Sequence, residues 1–426
     1  TNFTIRSWWN SSWNKRKPIY INSSINQDLN EFYVKVNITG LNTEISSCIN
    51  DTRIISTITN KEIPFDVITG DDSTYCEISF PGNISANAIN EVNYYVYYNN
   101  TDSGNPGYSP QYTWYNTSWN FRKKITINRS FVQDNLSDFP VLINLTDDDL
   151  GKAKQDGSDI LFTTSDGISK LSHELEYFNS TTNHLVAWVK TNMTVARDIE
   201  IYLYYNNSAA NSQEDSENVW VNNYNAVWHQ FEELAQDSTS NSHDAITRVE
   251  DVEIVEGQIS GAANFDGDSG YQRFSGFSDL GTSDKPYSFE VWVNIDSGET
   301  QGNILHMSVS ETSGSGWCLP PIAYTGSAFR ARNWNNGAVD ATSTTNPSPD
   351  TWYHVVHTWD SSNGIRIFVN GVLEDSTPMP DYTASGGSNY LHTAFDPDRC
   401  SGNLRWFDGS IDELRVSNIA RSPAWV

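Results

Sequence analysis

Along most of the chain, apolar and polar residues alternate with period two. KKITIN at 123–128 and VLINLT at 141–146 follow this pattern, which suits a strand with one buried and one solvated face. YYVYY at 94–98 and IYLYY at 201–205 are dense in β-branched and aromatic residues, and each runs into Asn-Asn, a turn signal. YSFEVWVN at 287–294 sets Phe289, Val291 and Val293 on one face. Within IRIFVNGVL at 365–373, Asn370-Gly371 is a two-residue loop that favours a type I′ turn. No stretch sustains the i, i+3, i+4, i+7 spacing of an amphipathic helix. Short strands joined by turns predict an all-β chain packed as sandwiches.

Three blocks recur at an almost constant offset. SSWNKRKPIYIN at 11–22 returns as TSWNFRKKITIN at 117–128, FYVKVNIT at 32–39 as FPVLINLT at 139–146, and YYVYYNNT at 94–101 as IYLYYNNS at 201–208. Offsets of 106 and 107 residues mean two copies of one domain. Composition shifts near residue 215. The expected organisation is therefore a β-sandwich over 1–108, a second over 109–215, and a third domain over 216–426. In that third domain Asp408-Gly409, followed by Ile411, Leu414 and Val416, should bring a final strand back beside the first.

At 426 residues the chain has room for two to four domains. Its 26 Lys+Arg against 53 Asp+Glu leave a net charge of −27, and the part from residue 210 onward is the most acidic. That balance excludes a nucleic-acid surface, which needs clustered cations. It also argues against docking on anionic lipid. No run approaches eighteen apolar residues, so no membrane insertion is expected. N-x-S/T sequons occur at Asn2, Asn10, Asn22, Asn37, Asn50, Asn83, Asn99, Asn116, Asn128, Asn135, Asn144, Asn179, Asn192 and Asn206. None follows, since Asn346 precedes Pro347. Four cysteines form two local pairs, Cys48 with Cys76 and Cys318 with Cys400. As disulfides they would contribute roughly 3–5 kcal/mol each; four buried thiols are the alternative. Dense sequons and paired cysteines point to an extracellular, cell-surface glycoprotein. A start at Thr1 reads as a processed chain, and an end at Val426 without an anchor would leave retention at the cell to partners.

The W…SWxxRKxIxI opening, FPVLINL, DGSDILFTTSDG at 156–167 and the closing IYLYYNN resemble the DUF2341 domain. That resemblance implies an extracellular β-domain of archaeal and bacterial surface proteins, often in tandem, with no known activity. The first copy departs from the pattern, with INDTRIIS at 49–56 in place of the DGSDI segment. GAANFDG at 261–267, YSFEVWVN, TWYHVVHTWD at 351–360, IRIFVNGVL and FDGSIDELRVSNIARSPAW at 407–425 resemble, in order, a laminin-G-like, concanavalin A-like jelly roll. Within it QDSTSNSHDA at 236–245 is similar to the segment that supplies calcium ligands in many such domains, together with the Asp of the I-D-E motif. The resemblance thus nominates Asp237, Asn241 and Asp412 as ligands of a structural calcium. Ser240, Ser242 and Ala245 stand where the family has glycines, and a solvated acidic loop is the alternative.

Aromatic faces stack on sugars, so Trp317, Tyr324 and Trp334 are candidate glycan-binding residues, with packing as the other explanation. Arg330 and Arg332 alternate on one strand face nearby, while Trp292, Trp352 and Trp359 sit in strand motifs and read as core. Glu174 and Glu176 share a face in HELEYF, the spacing of a carboxylate pair, but a solvated face is the simpler reading. His354 and His357 fall on opposite faces of a strand and cannot chelate together. The E-x-D-x-E pattern of concanavalin A-type glucanases, H-E-x-x-H and G-x-S-x-G are all absent, so no enzyme activity is expected. What remains is a structural subunit of a self-assembling filament, sheath or surface layer, whose partners are copies of itself. TNFTIRS at 1–7 alternates Phe3 and Ile5 with polar residues, so it could add to a neighbour's sheet edge or serve its own domain. Basic SWNKRKP and FRKK clusters in the repeats against an acidic third domain suggest head-to-tail polymerisation. Two alternatives are a monomeric adhesin that binds glycans through the jelly roll and an accessory module of a polysaccharide-processing system.

Overall fold

The computed structural model describes residues 8–24, 29–39, 47–69, 75–100, 102–104, 106, 114–116, 118–230, 234–249, 252–274, 277, 284–308, 318–382, 390–395 and 406–426. The chain divides into two compact units, residues 1–120 with 163–170, and residues 121–162 with 171–426.

In the first unit the alternating segments pair as two antiparallel sheets. Strands Lys15–Ile21 (β1), Leu29–Thr39 (β2), Thr52–Ser56 (β3), Glu62–Ile63 (β4), Asp66–Thr69 (β5), Tyr75–Ile84 (β6) and Glu91–Tyr98 (β7) form the orders β1–β7–β3–β4 and β2–β6–β5. Ile54, Ile78, Phe80 and Val96 fill the space between them. A one-turn helix, Cys48–Asp51, is capped by the Ser47 hydroxyl, which accepts from the Asn50 amide. The Cys48 sulfur is in a disulfide. The side chains of Cys76, Cys318 and Cys400 lie outside the described residues.

The second sandwich repeats this plan. Strands Phe121–Ile127 (β8), Leu136–Thr146 (β9), Leu161–Thr164 (β10), Lys170–Leu171 (β11), His173–Asn179 (β12), His184–Met193 (β13) and Ile199–Tyr205 (β14) form the orders β11–β10–β14–β8 and β12–β13–β9. Individual contacts recur as well as strands. Trp8 Nε1 donates to the Trp13 carbonyl at 2.8 Å, and Trp114 Nε1 to the Trp119 carbonyl at 2.8 Å. Arg16 reaches the Tyr97 hydroxyl at 2.8 Å and lies over Tyr95; Arg122 reaches the Tyr204 hydroxyl at 2.9 Å and lies over Tyr202. The W…SWxxR motif is thus a Trp-capped turn followed by an arginine stacked across to the neighbouring strand.

The rest of the second unit is a jelly roll of two large sheets. Its strands are Tyr224–Trp228 (β15), Ala245–Arg248 (β16), Glu253–Glu256 (β17), Gly261–Asp266 (β18), Gln272–Phe274 (β19), Tyr287–Ile295 (β20), Gly302–Ser308 (β21), Cys318–Tyr324 (β22), Phe329–Trp334 (β23), Ala338–Thr342 (β24), Trp352–Asp360 (β25), Gly364–Val369 (β26), Val372–Thr377 (β27), Tyr390–Thr393 (β28) and Asp408–Ser417 (β29). One sheet runs β17–β18–β29–β20–β25–β26–β27, with β15 also on β29; the other runs β16–β19–β28–β21–β22–β23–β24. The closing strand lies beside the first motif, Asp408 opposite Asp266. The hairpin turns at Asn370 and Gly371, both at positive φ, as a type I′ loop requires. Phe289, Val291 and Val293 do share the core face, as does Trp359, whereas Trp292 and Trp352 are half-buried on the other side. Among the described residues no helix is long and apolar enough to cross a membrane.

One core histidine carries a pH prediction. His357 is fully buried, with Nδ1 2.9 Å from the Pro321 carbonyl and Nε2 3.2 Å from the Tyr287 hydroxyl, which itself accepts from Asn333. These partners fit a neutral ring that donates from Nδ1 and accepts at Nε2. Burial lowers its pKa to about 3. Below pH 6.5 the unfolded chain gains a proton here that the folded chain refuses, so this contribution to stability falls as pH falls from 6.5 toward 3. The Tm advantage of wild type over His357→Gln should therefore shrink between pH 7 and pH 4.5; a constant or growing advantage in thermal melts would refute the assignment.

Candidate functional site

The most densely charged buried site lies inside the second unit, where the second sandwich meets the outer face of the jelly-roll sheet. Two β-bulges build it. β12 slips register against β13 between Leu175 and Tyr177, making Glu176 the extra residue. β29 slips against β20 between Arg415 and Asp412, and Glu413 there takes φ +49°. A bulge places an additional side chain off the regular alternation. Ile411, Leu414 and Val416 still face the core, and the neighbouring acids Asp412 and Glu413 do not.

His229, just beyond β15, is the hub. Its Nδ1 lies 2.6 Å from Glu413 Oε1 and 3.5 Å from Glu176 Oε2, and its Nε2 lies 3.2 Å from Glu174 Oε2. The imidazole stacks on Trp188 with centroids 6.1 Å apart. Each acid has its own donor. Trp188 Nε1 donates to Glu176 at 2.8 Å, while Trp220 Nε1 and Ser238 Oγ donate to Glu174, each at 2.6 Å. Arg415 bridges Glu413 at 2.7 Å and Glu290 at 3.1 Å, its guanidinium over Trp188 and Trp220. Val186, Val219, Tyr224, Val227 and Ile259 close the surroundings with apolar surface.

Burial opposes charge throughout, so proximity decides which groups keep it. For His229 the adjacent Glu413 and Glu174 outweigh burial and raise its pKa well above the ordinary imidazole value. Glu174 and Glu413 are lowered despite burial, Glu174 by His229, and Glu413 by His229 and Arg415. Burial and then Glu413 push Glu176 up to about 9, and the same two causes raise Asp412. Proximity thus favours the charged forms of His229, Glu174 and Glu413 and the neutral forms of Glu176 and Asp412. The expected solvated face for Glu174 and Glu176 is incorrect: their side chains are 13% and 0% exposed, because the jelly roll covers that strand.

The nominated calcium residues do not fit calcium. Asp237 Oδ1 accepts from the Val227 and Thr239 amides, and Oδ2 from the His243 amide and Thr239 hydroxyl. Its lone pairs are therefore spent organising their own loop. Asn241 donates to the Asn225 carbonyl. Asp412 accepts from the Ile259 amide with Oδ2. Calcium needs six to eight oxygens turned inward, and here the acidic loop is stitched to its own amides.

Of the nominated glycan residues, Trp317 lies outside the described residues. Tyr324 is only 8% exposed and belongs to the core with Ile322, so its ring is not open to a sugar. Trp334 is 43% exposed at the end of β23, on the face that carries Arg330 and Arg332, and Arg332 is paired to Asp340 at 2.6 Å. The described sequon asparagines are all exposed or half-buried; Asn2 lies outside the described residues.

Comparison with known proteins places both halves of the seam in recognisable segments. Residues 266–426 match Laminin_G_3, the concanavalin A-like lectin/glucanases superfamily. Residues 156–245 match DUF2341, a domain of unknown function. The DUF2341 segment carries Glu174, Glu176 and His229; the Laminin_G_3 segment carries Glu290, Asp412, Glu413 and Arg415. No curated protein matches the sequence. Similar solved structures include the binding domain of Paraclostridial Mosquitocidal Protein 1 (13% identity, TM-score 0.39, 47% of this chain and 50% of that one). Domain 4 of AbnA, an extracellular GH43 arabinanase of Geobacillus stearothermophilus in complex with arabinotriose, aligns at 18% identity and TM-score 0.33 over 47% of this chain and 95% of that one. The receptor binding domain of botulinum neurotoxin D aligns at 12% identity and TM-score 0.35 over 47% and 50%. The chain thus spans about half the length of the two toxin binding domains.

Sequence reasoning missed His229, Glu413 and Arg415 as partners of Glu174 and Glu176. They are separated by 53 to more than 200 residues of chain, and no local spacing links them.

Proposed function

We propose that the protein is a non-catalytic extracellular glycoprotein that assembles with copies of itself by strand addition to the first sandwich, whose repeat is a second DUF2341 domain. The observation that carries this reading is an open seam between its sheets. Among the described residues β1 and β2 each end a sheet, and between them lies a cleft of about 570 Å3 lined by Lys17, Ile19, Ile21, Val34, Val36 and Ile38. A strand at the end of a sheet can receive a further strand along its outer side. An incoming strand would run there while alternate apolar side chains enter the cleft. Residues 1–7 of another copy suit that role, with Phe3 and Ile5 at alternate positions; they lie outside the described residues. Asn37, a sequon on β2, also lines the cleft, so the reading requires it to carry no glycan. Basic repeats and an acidic jelly roll favour a head-to-tail, open polymer. The sealing of Glu174 and Glu176 supports the absence of acid–base catalysis. Deleting residues 1–7 should convert oligomers to monomers in light scattering without changing Tm. Oligomers that survive the deletion overturn strand exchange.

A second reading is glycan binding by the jelly roll, favoured by the exposed indole of Trp334. Trp334→Ala should then abolish signal on a glycan array, and a wild type that binds no glycan ends this reading.

A further inference from the structure

We propose that Glu176, His229 and Glu413 form a binding site for one divalent transition-metal ion of the zinc class, which clamps the second sandwich to the jelly roll. One ligand atom from each lies within 4.8 Å of the others, and all three side chains are buried. An imidazole nitrogen with two carboxylate oxygens is a donor set that zinc and its neighbours prefer, whereas calcium takes oxygen alone.

Independent observations show that this is more than a cluster of acids. Among the described residues Glu176 Oε1 is fully buried and accepts no hydrogen bond, although the other oxygen of the same carboxyl is held by Trp188. Asp412 Oδ1, on the residue before Glu413, is buried and has no partner among the described residues either. Buried oxygens rarely lack a donor without reason. Charge balance points the same way. Four acids, Glu174, Glu176, Asp412 and Glu413, surround His229 and Arg415, while Glu290 is shared between Arg415 and His354; protons or a cation would balance the acids. The outer contacts also suit a metal. With Nδ1 toward the ion, His229 would keep its Nε2 proton for Glu174, which Trp220 and Ser238 hold in place. Such a carboxylate behind a ligating histidine fixes its tautomer. Arg415 holds the distal oxygen of Glu413 in the same way.

Full-length protein stripped with a chelator and dialysed should take up one equivalent of Zn2+ in isothermal titration at pH 7. Co2+ in its place should give visible ligand-field bands of an ordered, low-symmetry site. Glu176→Gln keeps the size of the protonated side chain and should fold, yet it should weaken uptake at least about 100-fold, since even outer contacts cost 10–100-fold. His229→Gln should act likewise, and if it fails to fold, Glu176→Gln alone decides. Folded wild type that takes up no stoichiometric metal, or Glu176→Gln that binds as tightly as wild type, overturns the site.

Discussion

Arg415→Met should lower the stability of the second unit by about 3–5 kcal/mol. At roughly 2–4 °C per kcal/mol for a chain segment of this size, its melting temperature should fall by about 10 °C. The guanidinium bridges Glu290 and Glu413, whose side chains are 12% and 1% exposed. Burial opposes charge on Glu290, but Arg415, together with His354 and Arg421, wins and holds its pKa down at about 2. Removing Arg415 leaves two acids to be protonated or hydrated inside an apolar seam, and that cost exceeds the lost pair itself. Lysine at 415 should recover only part of the loss, because a single ammonium cannot reach both acids and lie flat over Trp188 and Trp220. Chemical denaturation of the three proteins measures this. A loss below about 1 kcal/mol for Arg415→Met would mean that the network is solvated, contrary to its burial.

Trp220→Ala should cost a comparable amount, about 3–5 kcal/mol, and should change the shape of unfolding as well as its midpoint. The indole is 1% exposed. It packs against Trp188 and edge-on against Tyr224, carries Arg415 on its face, and donates to Glu174. Few other side chains touch both sides of the seam in so many ways. Its removal should uncouple the second sandwich from the jelly roll, so that calorimetry resolves a transition for the second sandwich separate from that of the jelly roll, where wild type melts them together. If the variant still melts both at one shared temperature close to that of wild type, the seam is a contact of convenience rather than a structural joint.

The fold was largely legible because its rules are local. Period-two alternation placed Phe289, Val291 and Val293 inward, Asn370-Gly371 announced its hairpin, and the repeated W…SWxxR blocks announced a geometry that recurs down to single hydrogen bonds. The same rule, applied strictly, puts Tyr324 on the face of Ile322 and hence in the core; treating it as a loop residue hid this. Ile411, Leu414 and Val416 break strict alternation by one residue, and that irregularity is the bulge that exposes Glu413 to His229. The candidate site was not legible because it is made by docking. Glu174 and Glu176 look like a solvated face until another domain covers them, and nothing near His229 in sequence reveals which strands it will meet. The calcium loop shows the converse: Asp237 has the right residue type and spacing, but its own amides consume the oxygens.

Negative-stain electron microscopy of the purified full-length protein over a concentration series tests the central claim most directly. Strand addition at the cleft between β1 and β2 predicts regular, open-ended fibres or sheets that shorten when excess peptide TNFTIRS competes for the cleft. Dispersed single particles at every concentration, with no effect of the peptide, would contradict self-assembly.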